Sequence, residues 1–136
     1  MEQDSLAVVQ SFINAINTHD TTHLYHLMTE DHLFVDAMGS TIRGREEMRK
    51  AWVAYFYLVP DYLIAVQEAF VKGDSVALFG LARGTCAEQG ALHERNRWSL
   101  PAAWHAVIRN RQVAEWHVYA DNEPVRQILA SQERSV

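Results

Sequence analysis

Apolar positions recur along this chain in two regimes. Between residues 4 and 17 they follow a helical period, with Leu6, Val9, Ile13 and Ile16 in one stripe and Phe12 at its edge. That spacing predicts a helix with one buried face, capped at its start by Asp4 or Ser5. Asp20 suits the N-cap of a short second helix, Thr21 to Met28, with Leu24, Leu27 and Met28 facing inward. His32 to Asp36 reads as a strand, and Gly39 and Gly44 supply turns. A third helix runs from Arg45 to Leu58, with Glu46 and Glu47 at its positive end and Met48, Trp52, Tyr55, Phe56 and Val59 as its apolar face. Pro60 stops it.

From Asp61 the period changes to two. Strands are expected over Tyr62 to Val71 and Ser75 to Cys86, joined by the hairpin turn Lys72-Gly73-Asp74. After a loop, a long strand spans Arg95 to Arg109, bent or bulged near Pro101. It turns at Asn110-Arg111 and returns as Val113 to Ala120. Asp121 or Asn122 then caps a short last helix that admits Pro124 in its first turn, and residues 131–136 read as a loose tail. Helices followed by strands imply an α+β fold, with three N-terminal helices packed on a strongly curved, mostly antiparallel sheet. Such a sheet forms a cone, and a cone leaves an apolar pocket.

Composition narrows the class. With 136 residues, 49% apolar and 21% charged, the chain fits one globular domain across residues 1–136. A net charge of −5 with scattered arginines argues against nucleic acid. No apolar run is long enough to span a membrane. The acidic start, MEQDSLAVVQ, lacks the basic region of a signal peptide. Cys86 is the only cysteine, which excludes an internal disulfide and fits a reducing, cytoplasmic setting. His19, His23 and His26 share spacings of four and three, but solvent-facing histidines explain them better than a metal, and none is expected.

Four segments carry a family resemblance: SFINAINTHD, HLFVDAMGSTIRGREEMRKAW, the PDY strand start and VAEWHVYADN. On these the chain resembles the nuclear-transport-factor-2-like superfamily, and within it the SnoaL-like and ketosteroid-isomerase-like branch. The resemblance implies cofactor-independent acid–base chemistry, with Asp36 at the position of the general base that moves a proton next to a ketone. A carboxylate facing an apolar cavity loses solvation and becomes a better base, and the resulting enolate needs hydrogen-bond donors. Here the chain departs from the pattern. The isomerase donors and their supports align with Phe12, Met28, Trp52 and Trp104, so steroid isomerisation by the usual oxyanion hole is not expected. The late-strand aspartate of the epoxide-hydrolase branch aligns with Val118. The cyclase branch's pocket acid matches Asp36, and more loosely Asp121.

Strand parity tests these assignments. Trp116, Val118 and Ala120 share one face of the last strand, and Trp104 shares a face with Ala102, Ala106 and Ile108 on the strand before. These tryptophan faces should point into the cone. His105, Val107, His117 and Tyr119 then lie outside, at a homodimer interface or in solvent. A bulge after Pro101 would instead bring His105 into the pocket as an acid or base. In the opening strand, parity puts Leu33 and Val35 in the core and Asp36 outside, where it would cap the Gly39 turn; the resemblance turns it inward. Arg43 is expected to satisfy loop carbonyls or a carboxylate, and Glu88 to be solvated without a partner.

The aromatic set Phe12, Phe34, Trp52, Tyr55, Tyr62, Trp104 and Trp116, with Val118, marks a pocket for a small apolar or aromatic molecule. Two functional readings follow. One is a SnoaL-like enzyme of isomerase, cyclase or dehydratase type with Asp36 as base, Asp121 and His105 being the other candidate acids. The other is a non-catalytic binding or dimeric association module of the same fold.

Overall fold

The computed structural model describes residues 2–134. Its elements run α1 (Glu2–Asn17), α2 (Thr21–Leu27), β1 (Met28–Val35), β2 (Thr41–Arg43), α3 (Arg45–Leu58), β3 (Leu63–Lys72), β4 (Ser75–Thr85), a 3₁₀ turn at Glu94–Asn96, β5 (Arg97–Arg109), β6 (Gln112–Ala120) and α4 (Glu123–Arg134). The strands form one sheet in the order β2-β1-β6-β5-β4-β3. Every pairing is antiparallel except β1 with β6. The sheet curls without closing and the helices pack on it, which is the α+β cone expected from the sequence.

Alternation shapes the interior. On β5, Trp98, Leu100, Ala102, Trp104, Ala106 and Ile108 are all buried, and the residues between them are not. The curl has a local device in Gly80 on β4. A Cβ there would lie 2.0 Å from the carbonyl oxygen of Ala65, so only glycine lets β3 press this close. The register of β3 slips directly beside it, between Val66 and Glu68, which bends that strand.

Several boundaries differ from the sequence expectation for physical reasons. Helix α1 starts at Glu2, and Ser5 does not cap it: Ser5 is buried and donates its hydroxyl to the Gly73 carbonyl at 3.0 Å. The buried stripe is therefore Ser5, Val9, Phe12 and Ile16, with Phe12 at its centre rather than its edge. Met28 opens β1 instead of closing α2, because it pairs with Val113 of β6. Strand β2 was missed because three residues are too few to show alternation.

Strand β5 runs through Pro101 with unbroken pairing to β4. Its other neighbour, β6, pairs no further than Ala102, so Pro101 sits where one flank of the strand is free. The register shift falls at Val107/Ile108 instead. Helix α4 continues through Arg134 instead of loosening at Ser131. Val125, Ile128 and Leu129 pack on the core, and Gln132 donates its amide to the Cys86 carbonyl at 3.3 Å. The rest of the expected tail, 135–136, lies outside the described residues. No helix among them is long and apolar enough to cross a membrane.

Candidate functional site

The cone encloses a cavity of about 320 Å³. Helix α3 contributes Met48, Ala51, Trp52 and Tyr55; β5 contributes Trp98, Leu100, Ala102 and Trp104; β6 contributes Trp116, Val118 and Ala120. Tyr62 and Ala82 continue the wall, Asn122 follows β6, and the end of β1 adds Phe34, Asp36 and Ala37. Asp36 is the one carboxylate among these described lining residues.

Met28, His32, Phe34 and Asp36 share one parity on β1 and its continuation; Met28 and His32 are fully buried, and Phe34 and Asp36 line the cavity. Parity misassigned this strand. Leu33 and Val35 are half-buried on the other side, so their apolar character does not mark the core. The same aspartate also caps the turn that follows. Its Oδ1 accepts the backbone N–H groups of Met38 and Ser40, both at 2.9 Å, while Gly39, at φ 84°, donates its N–H to the Asp36 carbonyl at 3.0 Å. This is an Asx-type turn. The two sequence readings of Asp36 are therefore compatible: one oxygen holds the turn, and Oδ2 has no partner among the described residues.

Burial dominates the electrostatics around the cavity. It pushes the phenols of Tyr55 and Tyr62 above their ordinary range, and Tyr55 rises further from the proximity of Tyr62 and Cys86. Both hydroxyls therefore remain protonated donors at any working pH. The indole N–H groups of Trp52 and Trp98 are sealed in the wall without a partner among the described residues. Trp98 lies close enough to Cys86 to favour its thiolate, but burial outweighs this and raises the thiol, which suits a core residue and not a nucleophile.

Beneath the cavity, His32 is fully buried. Its Nδ1–H donates to the Val113 carbonyl at 2.7 Å, which assigns the tautomer and leaves Nε2 without a partner among the described residues. Burial lowers its pKa to about 4, against the smaller opposing effects of the Val113 bond, Asp31 and Glu115. Nothing in the sequence except its parity with Phe34 and Asp36 signalled this residue.

Of the expected pocket residues, Phe34, Trp52, Tyr55, Tyr62, Trp104, Trp116 and Val118 line the cavity. Phe12 does not. It is completely buried against Trp116, with ring centroids 4.9 Å apart, and supports the wall from behind. Trp98 was missed, although continuing the inner-face alternation of β5 by two steps reaches it. Asp121 lies in an adjoining groove with Met38 and Val125, which shares Tyr55 and Asn122 with the cavity, and its Oδ1 caps α4 by accepting the Glu123 N–H at 3.0 Å. His105 stays on the outer face because no bulge follows Pro101. It stands 3.3 Å from the Ser75 hydroxyl and beside His117.

The helical histidines separate. His19 stacks on Phe56 at 4.1 Å and donates to the Tyr62 carbonyl, while His23 and His26 are exposed. Among the described residues no group of three metal-ligating side chains gathers. Arg43 donates to the Asp31 carbonyl at 3.1 Å. Glu88, expected to be solvated and alone, is instead paired with Arg95 at 2.9 Å and Asn96 at 3.0 Å, since the 3₁₀ turn folds both back onto it.

Comparison with known proteins bears on this geometry. The sequence matches the SnoaL-like domain over residues 9–121. A search of curated proteins finds no match. Among solved structures, the chain is similar to a putative SnoaL-like polyketide cyclase from a Jannaschia species, at 16% identity and TM-score 0.82, covering 96% of this chain and 94% of that one. A Catenulispora acidiphila protein with a ketosteroid isomerase-like fold, solved with trimethylamine, gives 21% identity and TM-score 0.75, covering 87% and 88%. An epoxide hydrolase of the LEH-like type from M. tuberculosis gives 13% identity and TM-score 0.78, covering 98% and 95%. Identities this low establish a shared fold and leave the chemistry to the site.

Proposed function

The chain belongs to the SnoaL-like domain family, and from that membership we propose that it acts on a small, mostly apolar or polycyclic molecule by acid–base chemistry that needs no metal or organic cofactor. The observation that carries this reading is Asp36. It is the only carboxylate among the described cavity-lining residues, with one oxygen engaged by its turn and the other open. In this reading Oδ2 takes a proton from carbon next to a substrate carbonyl. The electron pair moves to the carbonyl oxygen as an enolate. Return of the proton at another carbon gives an isomer, and attack of the enolate carbon on a second carbonyl closes a ring. The turn supports this role by orienting the carboxylate before substrate arrives.

The probe we choose is 2-tetralone, whose benzylic α-protons are acidic enough for exchange to be followed by NMR in deuterated buffer. The protein should accelerate exchange over buffer. Asp36→Asn keeps an oxygen for the Met38 and Ser40 N–H groups but removes the base, and should cut the enzymatic rate by about 10²–10⁴ with the fold intact. Exchange at the buffer rate, or equal rates in the two proteins, would sink the acid–base reading. It would leave the second reading, a binding module in which Asp36 is only a turn cap, favoured by the same two backbone bonds.

The outer sheet face supports a homodimer. Phe70, Phe79 and Tyr119 are 57%, 46% and 59% exposed, and Phe70 and Phe79 meet edge to face at 5.9 Å. The register puts these beside Ala77, Ala103 and His105 as one apolar surface. Light scattering at micromolar concentration should give twice the chain mass, and Phe79→Glu should give the single mass. A monomeric wild type removes this part of the proposal.

A further inference from the structure

The family's enolate donors are replaced in this chain by Phe12, Met28, Trp52 and Trp104, yet the cavity is not without donors. We propose that the hydroxyls of Tyr55 and Tyr62 form its carbonyl-binding end, where the oxygen of a ketone ligand accepts from one or both phenols. The inference rests on the cavity being the ligand site, as in the function proposed above, and deepens it by naming the residues that hold the ligand's carbonyl.

Three observations converge on this pair. First, the two side chains come from the end of α3 and the turn before β3, and their rings meet edge to face with centroids 4.9 Å apart. Both line the cavity. Second, neither hydroxyl has a partner among the described residues, in a wall where the other unpartnered donors, the Trp52 and Trp98 indoles, are sealed from any ligand. The phenol oxygens are not sealed, although Tyr62 is only 8% exposed. A buried hydroxyl normally finds a partner, so two open and unpaired ones in one apolar cavity point to an acceptor supplied from outside the chain. Third, burial keeps both phenols protonated, which fits them to donate to a carbonyl and to the more basic oxygen of an enolate. The same wall carries both tyrosines and Asp36, and most of its other large residues are aromatic.

The test compares 2-tetralone with tetralin, the same bicycle without the oxygen, by calorimetric titration. Wild type should bind the ketone about tenfold more tightly, the size expected of one or two neutral hydrogen bonds. In Tyr55→Phe/Tyr62→Phe the ketone should fall to the affinity of tetralin, and tetralin itself should change less than twofold. These substitutions keep both rings and break no bond present in the protein, and an unchanged thermal midpoint confirms the fold. As a second measurement, the ¹³C resonance of the bound carbonyl should move downfield in wild type and return in the double variant.

Asp36→Asn separates the two proposals. If it abolishes exchange while the ketone preference survives and depends on the tyrosines, both stand. If wild type catalyses no exchange but the preference still follows the tyrosines, the donor pair stands and the acid–base reading fails. A preference that survives the tyrosine substitutions, or no preference in wild type, or no binding of either bicycle, overturns the donor pair.

Discussion

On β5 and β6, tryptophan and histidine occupy adjacent positions: Trp104 precedes His105, and Trp116 precedes His117. The pleat sends each pair to opposite sides of one sheet. Inside, Trp104 and Trp116 are 2% and 1% exposed and line an aromatic cavity. Outside, His105 and His117 sit directly across from each other with ring centroids 5.5 Å apart, and His117 donates to Glu115 at 2.8 Å. The inner face also holds a histidine, His32, and there the ring is forced to be neutral. The difference teaches that residue type says little about role on this sheet. The side of the pleat decides whether a group is solvated, paired or shut away.

The largest break in this contrast should come from the inner tryptophans. Trp116→Ala removes a ring packed on Phe12 and opens space between α1 and the cavity, so unfolding by urea should show a loss of about 3–5 kcal/mol. A loss under about 1 kcal/mol would mean that the cavity collapses freely and that its walls are not rigid.

His32 comes next. Its folded pKa of about 4 lies below the ordinary value of 6.5, so between those values the unfolded chain binds the proton and the folded chain refuses it. The stability linked to this group is complete above about pH 6.5 and is lost as pH falls toward 4, by about 3 kcal/mol. Urea midpoints measured across that window should decline in wild type and decline less in His32→Leu. Parallel curves would show that His32 does not carry the dependence.

The smallest effect sharpens the comparison of two aspartates that use the same local chemistry. Asp36 and Asp121 both end a strand and both accept a backbone N–H two residues on. Asp121→Ala should cost about 1 kcal/mol of helix capping, seen as earlier fraying of α4 by hydrogen exchange. The exchange of 2-tetralone should be unchanged, because Asn122 and not Asp121 lines the cavity. A large loss of turnover would reopen Asp121 as a pocket acid.

How much of this was legible in the chain depended on whether the signal was local. The Asp20 cap, the span of α3, the hairpin turns and the inner faces of β5 and β6 follow from spacing, because each is set by neighbours within a few residues. The wall residues Trp52, Tyr55, Trp104 and Trp116 could be named from those faces. Phe12 could not be separated from them, because a core ring and a cavity ring have the same sequence signature and differ only in what stands in front of them. For His105, parity points outward and a bulge at Pro101 would point it inward, and the choice depends on whether a neighbouring strand needs the N–H that proline lacks. Only the arrangement of β4 and β6 around it answers that.

The sequence by itself determined the α+β order, the glycine turns, the absence of any second cysteine and the single acid at the end of β1. These are properties of period, residue chemistry and count. Only the tertiary structure decided that Asp36 looks inward while it caps its turn, because the more apolar face of β1, Leu33 and Val35, is not the face that meets the cavity. It also decided that two tyrosines from separate elements line one cavity, with no partner for either hydroxyl among the described residues. Which donors go unpaired depends on contacts between residues far apart in the chain, and local sequence carries no record of those contacts.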